Sequence, residues 1–131
     1  MDTLAKRTAT RFAKAVQSLE KALTLGTLPE HAERDTTLLR FELAAELTPK
    51  VLQRILTERG LEAVLPKDTV RAARSANFFD EPTATTLLAI IDDRNRMVHD
   101  YSEEFAEHLY ERIKNDYINA FRILLAFTSN T

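Results

Sequence analysis

Apolar residues recur along this chain at the spacing of amphipathic helices, about 3.6 residues per turn. The first predicted helix runs from Thr3 to Leu25 and ends before Gly26. Its apolar positions are Leu4, Phe12, Val16, Leu19 and Leu23. Thr27 and Glu30 have the spacing of a capping box, and Pro29 would lie in the first turn of a second helix.

The second predicted helix, Pro29 to Arg59, carries apolar residues on two adjacent faces and ends at Gly60. One stripe consists of Phe41, Ala45, Thr48, Leu52 and Ile55, and the other of Leu39, Leu43, Leu47 and Val51. Two apolar faces are typical of a central helix in a bundle. Pro49 lies inside this helix and is expected to kink it, because proline lacks a backbone donor and crowds the preceding turn.

Three further helices are predicted in the remaining sequence. One runs from Pro66 to Phe79, the next opens at Pro82, and Ser102 is the capping hydroxyl of the last. Alternating patterns typical of strands are absent. The sequence therefore predicts an all-α, up-and-down antiparallel bundle of about five helices with a four-helix-bundle core, in which residues 1–131 form one domain.

Composition excludes several classes of protein. The chain has 44% hydrophobic and 29% charged residues, which is typical of a globular protein. It contains no cysteine, which suits a reducing cytoplasm. With two glycines it has no glycine-rich phosphate loop, and a net charge of -2 argues against a general nucleic-acid coat. It has neither an apolar membrane span nor a signal-peptide core, so we expect a cytoplasmic protein without membrane association.

Candidate chemistry is concentrated in residues 94–101, at the end of the fourth predicted helix. On an ideal helix Arg94 and His99 are about 140° apart, whereas Asn95 and His99 share a face. Two arrangements could bring Arg94 and His99 together: the helix could end near His99, or a twofold dimer axis could gather two copies of the segment in one cleft.

Such a cleft would contain the groups needed to cleave RNA without a metal or another cofactor. Histidine titrates near neutral pH and can move the proton of a ribose 2′-hydroxyl or of the leaving oxygen. Arginine stabilises the charge that develops on a phosphate, and Asn95 could orient His99 or bind a phosphate oxygen. The alternatives are structural: His99 could be an interface residue or a helix cap, and Tyr101 could pack at the edge of the core.

Other polar clusters have ordinary explanations beside functional ones. Lys67, Arg71 and Arg74 share one helix face and, with Arg96, could bind an RNA backbone, although a solvated face also explains them. Asp92 and Asp93 are adjacent and therefore poor joint metal ligands, so we expect one of them to pair with an arginine. His31 and His108 lack a second ligand at metal spacing, and no metal site is predicted.

The chain resembles the HEPN superfamily in residues 94–101, 103–107 and 110–113. Within that superfamily it is most similar to the branch of nucleotidyltransferase substrate-binding proteins, which includes HepT-type toxins. Residues 40–47, Arg-Phe-Glu-Leu-Ala-Ala-Glu-Leu, are similar to a second stretch typical of that branch. The resemblance covers about Leu39 to Leu125. The chain departs from the branch near Thr48 and Pro49, where a Trp-Lys pair is usual.

The resemblance implies a helical bundle that forms a homodimer around the Arg94–His99 segment. It further implies a metal-independent ribonuclease toxin in which Arg94 and His99 are catalytic and Asn95 is the polar residue beside them. A partner minimal nucleotidyltransferase, the antitoxin, would transfer AMP onto Tyr101 and silence the nuclease. Other members of the branch are substrate-binding subunits of a nucleotidyltransferase without catalysis, which is the alternative function.

Overall fold

The computed structural model of the chain describes residues 3–100 and 102–130 and is helical throughout, without a strand in those ranges. The α-helices are α1 (Leu4–Ala22), α2 (Ala32–Glu58), α3 (Pro66–Ser75), α4 (Glu81–Arg96), α5 (Glu103–Arg112) and α6 (Ile118–Ser129). None of the helices in the described residues is long and apolar enough to cross a bilayer.

The connection between α1 and α2 differs from the sequence prediction. Helix α1 ends at Ala22, before the predicted Leu25, and turns bonded through backbone groups continue to Leu25. The capping box predicted for Thr27 and Glu30 is wrong. Glu33 instead accepts a hydrogen bond of 2.7 Å from the backbone N–H of Leu28. Glu30 adopts a left-handed φ of 58°, so it cannot serve as the third residue of a regular first turn.

Helix α2 is central, as predicted, and packs against α1, α3, α4 and α5. It continues through Pro49 as one helix. Of its second apolar stripe, Leu47 and Val51 are buried, whereas Leu39 and Leu43 are 69% and 48% exposed. Within the described ranges no element of the single chain covers this part of α2, so two leucines one turn apart remain in solvent.

The two short connections around α3 and α4 are fixed by local backbone chemistry. Helix α3 ends at Ser75 rather than Phe79, because Asn77 adopts a left-handed φ of 63° that no helix interior tolerates. The carboxylate of Asp80 then accepts a hydrogen bond of 3.0 Å from the N–H of Thr83 and caps α4. The start of α4 is therefore held one residue before the predicted Pro82.

Helices α5 and α6 form one continuous rod, joined by a π-helical turn at Ile113–Tyr117. When α5 and α6 are counted as one continuous helix, the described residues form five long helices, the number predicted. The largest buried side chains lie where α1, α2, α4 and this last rod meet; they are Phe12, Phe41, Phe121, Leu19, Leu47, Leu52, Ile55, Leu56, Leu87, Ile90, Leu109 and Ile113. The π turn brings Tyr117 onto Phe41, with ring centroids 5.9 Å apart.

Candidate functional site

The segment with the candidate chemistry begins where α4 ends. Helix α4 stops at Arg96, and the chain turns through residues 97–99, with the N–H groups of His99 and Asp100 bonded to the carbonyl of Arg96. The helix therefore ends before His99, as the first of the two predicted arrangements required, but this ending does not bring His99 into the cavity that Arg94 lines. Residues 97–100 continue in helix-like turns, since the N–H of Asp100 still bonds the carbonyl of Arg96 four residues earlier, and the shared face of Asn95 and His99 stays a prediction.

The two aspartates beside the motif are both engaged by other groups. Asp92 forms an ion pair with Lys67 from the start of α3. Asp93 accepts hydrogen bonds of 2.9 and 3.1 Å from the guanidinium of Arg112 and another from the hydroxyl of Tyr117. The expectation that one of the pair binds an arginine is confirmed by Asp93. This network also fixes the C-terminal end of α4 against the π turn.

Arg94 has no ion pair and no hydrogen bond with the part of the chain that the structure describes. Its Nε is buried and lacks a partner, although two carboxylates precede it directly in the sequence. The other guanidinium nitrogens are not fully buried and also lack a partner within the described residues, so a phosphate that enters the cavity beside Arg94 can bind to them. The guanidinium is a permanent forked cation and matches the oxygens of a phosphate.

Arg94 and Asn95 line a cavity of about 370 Å³ between α2, the start of α3 and the end of α4. This volume lies within the ~300–1,000 Å³ of small-molecule sites. The other lining residues are Ala45, Glu46, Pro49, Lys50, Gln53, Val64, Pro66 and Ile91. Sequence reasoning missed this cavity, because its walls come from three separate elements and only the α4 residues carry a recognisable motif.

His99 does not line the cavity that holds Arg94 and Asn95. It is exposed, as is the neighbouring Val98 at 51%. The single chain therefore brings together two of the three predicted catalytic side chains and leaves the third in solvent on the following turn. Tyr101, the predicted AMP acceptor, lies outside the described residues.

The four cations predicted as possible RNA contacts all have partners within the chain. Lys67 pairs with Asp92, as described above, and Arg96 with Asp100 at 2.9 Å. On α3, Arg71 pairs with Asp68 at 3.2 Å, and Arg74 with Glu81 at the start of α4 at 3.1 Å. An RNA role for these four residues remains a prediction, and the ion pairs account for them as parts of a solvated surface.

A second cavity, of about 500 Å³, lies on the other side of the motif, between the first half of α2 and the start of α5. Its lining includes Arg34, which is 5% exposed and bonds Glu103 at 2.9 Å and Asp35 at 3.2 Å. The hydrogen bond from Arg34 lowers the pKa of Glu103, and that from the Ser102 N–H lowers the pKa of Asp100. Within the described ranges, no group of three or more acidic or histidine side chains is placed to hold a metal ion.

These depressed pKa values predict acid sensitivity. A carboxylate whose pKa is lower in the folded state contributes stability above its unfolded pKa, and that contribution is lost as the pH falls. We expect the free energy of unfolding to decline below about pH 5, since free Glu and Asp titrate near 4. Urea titrations between pH 3 and 7 would measure it. In Arg34→Gln the decline should be shallower, and an unchanged pH slope in this variant would contradict the assignment to Glu103.

The hydroxyl of Tyr117 is expected to stabilise the end of α4. Tyr117 is 4% exposed, and burial raises its pKa, so the hydroxyl stays protonated and donates to Asp93. Tyr117→Phe should lower the free energy of unfolding by about 1.5–3 kcal/mol, the usual contribution of a hydrogen bond to a charged group. Tyr110→Phe is the control, because its hydroxyl has no hydrogen bond within the described residues. Equal urea midpoints for the two variants would refute the role of the Tyr117 hydroxyl.

Comparisons with known proteins place the chain among related structures. The family model described as nucleotidyltransferase substrate binding protein like matches residues 7–130. The crystal structure of ttk003001694 from Thermus thermophilus aligns at 33% identity and a TM-score of 0.81, covering 89% of this chain and 98% of that one. No curated protein matches the chain.

Two toxin–antitoxin structures show the same fold at low identity. The tri-AMPylated Shewanella oneidensis HEPN toxin, in complex with MNT antitoxin, aligns at 13% identity and a TM-score of 0.81 over the whole of both chains. A toxin–antitoxin structure with AMP-PNP gives the same identity, score and coverage. At this identity the likeness establishes the fold, and the roles of Arg94, Asn95, His99 and Tyr101 remain predictions.

Proposed function

Because the chain belongs to the nucleotidyltransferase substrate binding protein like family, we propose that it is a metal-independent endoribonuclease and the toxin of a toxin–antitoxin pair. The toxin–antitoxin structures that share its fold support this context. The observation that carries the proposal is the unpaired guanidinium of Arg94. It lies beside a cavity in the last turn of α4, and the exposed His99 follows on the next turn of the chain.

In the proposed reaction, RNA is cleaved by its own 2′-hydroxyl. A histidine removes the 2′ proton, and the 2′ oxygen attacks the adjacent phosphorus. The bond from phosphorus to the 5′ oxygen breaks, and that oxygen accepts a proton from the imidazolium form of the histidine and leaves as a 5′-hydroxyl. Arg94 stabilises the negative charge that grows on the phosphate oxygens, and Asn95 positions one of them. The products are a 2′,3′-cyclic phosphate and a 5′-hydroxyl, and no metal takes part.

The exposed position of His99 favours an active site built from two copies of the chain. Leu39 and Leu43 form an uncovered apolar pair on α2, the helix that lines both cavities, and Val98 is exposed on the turn itself. A twofold contact through this surface would bury all three side chains. It would also place the two turns that carry His99 near the twofold axis, where each histidine can approach the Arg94 of the partner copy.

Leu43→Glu should therefore convert the dimer into monomers. The new carboxylate would be buried without a counter-ion at the contact, which is strongly unfavourable. Analytical ultracentrifugation measures the mass, and RNA cleavage should fall with the dimer fraction. Ile123→Glu is the matched control, since Ile123 is 47% exposed on α6 and Leu43 is 48% exposed. A Leu43→Glu protein that stays dimeric would exclude this surface as the interface.

AMP transfer to Tyr101 by a partner nucleotidyltransferase is the proposed means of silencing. Tyr101 follows His99 by two residues, so nucleotide phosphates attached there would compete with RNA phosphate for Arg94. The chain, incubated with its partner and ATP, should gain the mass of one or more AMP groups and lose cleavage activity. Tyr101→Phe should gain no mass and keep its activity in the presence of the partner.

The chemistry of the RNA ends tests the proposed reaction. RNA cut by the chain in the presence of a chelator should carry 2′,3′-cyclic phosphate and 5′-hydroxyl ends, as mass spectrometry of the fragments would show. A substrate with deoxyribose at the cleaved position should stay intact, because it lacks the attacking hydroxyl. Fragments with 5′-phosphate ends, or cleavage of the deoxy substrate, would contradict internal transesterification.

A non-catalytic subunit that binds substrate for a nucleotidyltransferase is the second candidate. The description of the family and the separation of His99 from the Arg94 cavity favour it. This function predicts tight association with a nucleotidyltransferase chain and no RNA cleavage by the clean dimer. The nuclease proposal predicts cleavage by the dimer without that partner.

A further inference from the structure

The cavity beside Arg94 has the chemistry of a nucleobase pocket. Its walls include the flat or branched apolar side chains of Pro49, Val64, Pro66 and Ile91, and Val64 is 78% exposed. Such surfaces pack against the faces of a flat aromatic ring. Arg94 lines the same cavity, and its guanidinium has no hydrogen-bond or ion-pair partner within the described residues. A base between these walls would lie directly beside a phosphate bound by Arg94.

The polar groups in the cavity present acceptors next to a cation. Lys50 donates to one carboxylate oxygen of Glu46 at 3.2 Å, and the carboxylate retains acceptor capacity on its second oxygen. Pro49 has no N–H, so the carbonyl of Ala45 lacks its usual helical donor. Glu46 and Lys50 line the cavity, as do Ala45 and Pro49. The pocket therefore offers a carboxylate acceptor, from Glu46, and an ammonium donor, from Lys50, on one helical turn.

We propose that this cavity binds a guanine base, and that it makes the nuclease prefer RNA with guanosine beside the cleaved bond. Guanine alone among the four bases has two adjacent donors, N1–H and N2–H₂, beside the O6 acceptor. Glu46 accepts from the two donors, and Lys50 donates to O6. The preference for cleavage beside guanosine rests on the proposed nuclease, whereas binding of the guanine base does not, because binding requires no cleavage.

Binding of free nucleotides tests the pocket independently of catalysis. Isothermal titration of the unmodified chain with GMP, IMP and AMP should give an affinity for GMP about tenfold above that for AMP, because one good bidentate contact gives about 1–3 kcal/mol. IMP, which lacks only the 2-amino group, should bind more weakly than GMP. Glu46→Gln should bring GMP and AMP within about twofold of each other.

Glu42→Gln is the matched control, since Glu42 lies one turn earlier on α2 and lines the other cavity. It should keep the GMP preference. Equal affinity for GMP and AMP, or a preference that survives in Glu46→Gln, would overturn the inference. Circular dichroism of both variants checks that the helical fold is retained.

Cleavage-site mapping on a pool of RNA sequences separates this inference from the proposed nuclease. If cleavage is enriched beside guanosine and Glu46→Gln loses that enrichment, the result supports both the guanine pocket and the nuclease. Cleavage without preference for guanosine overturns the inference and leaves the nuclease standing. A GMP preference that depends on Glu46, without cleavage of any RNA, supports the pocket and overturns the nuclease.

Discussion

Replacing His99 with alanine is expected to lower the rate of RNA cleavage by about 10²–10⁴-fold, the usual contribution of a general acid or base. The fold should not change, because the side chain of His99 is exposed and has no hydrogen bond in the described part of the chain. The measurement is the single-turnover rate on a labelled RNA, beside circular dichroism and the mass of the dimer.

His108→Ala is the control for a nonspecific loss of an exposed imidazole. His108 lies on α5, where it lines a small polar cavity with Arg96 and Arg112 and away from Arg94. It should keep most of the parental rate. If His99→Ala cleaved RNA as fast as the parent, His99 would not be the proton-transfer group. The Arg94–His99 pairing would then have to be abandoned.

Replacing Arg94 with glutamine is expected to lower the cleavage rate by about 10²–10³-fold, the usual effect of removing one group that stabilises transition-state charge. Glutamine keeps part of the length and a donor but removes the permanent charge and the forked geometry. Binding of RNA should weaken much less than the rate falls, since the charge on the phosphate grows only during the reaction.

Arg122→Gln controls for the loss of one positive charge, because Arg122 is an exposed arginine on α6 that pairs with Glu20 of α1. Its rate should stay near that of the parent. If the cleavage rate fell equally in both arginine variants and recovered at lower salt, the two arginines would act only by general electrostatic attraction of RNA. Arg94 would in that case have no specific role in the chemistry.

The helical architecture could be predicted from the sequence because hydrophobic spacing and breakers act locally. Ser102 caps α5 as predicted, through a hydrogen bond of 3.1 Å from the N–H of Phe105. The resemblance to nucleotidyltransferase substrate-binding proteins rested on residues 94–101 and 40–47, and the family model, which matches residues 7–130, confirms it. The π turn at Ile113–Tyr117 was not predicted, because hydrophobic spacing carries no sign of it; it lies beside the hydrogen-bond network around Asp93.

The candidate site was predictable only in part. Its residue types lie in one short segment, so the sequence locates Arg94, Asn95 and His99 in the same neighbourhood. Their separation is set by the end of α4 at Arg96, a boundary that propensity leaves open by a few residues. The exposure of Leu39 and Leu43 could not be predicted either, because an apolar stripe has the same sequence pattern whether it faces the core or is left uncovered by the rest of the chain.

The most direct test is RNA cleavage by the purified, unmodified chain in the presence of a chelator, with the intact mass recorded to exclude AMP already attached. We expect the parent chain to cut a broad RNA pool and His99→Ala to leave it intact under the same conditions. Absence of cleavage by a clean, correctly folded dimer of unmodified mass would contradict the nuclease. The chain would then be better explained as the binding subunit of a nucleotidyltransferase.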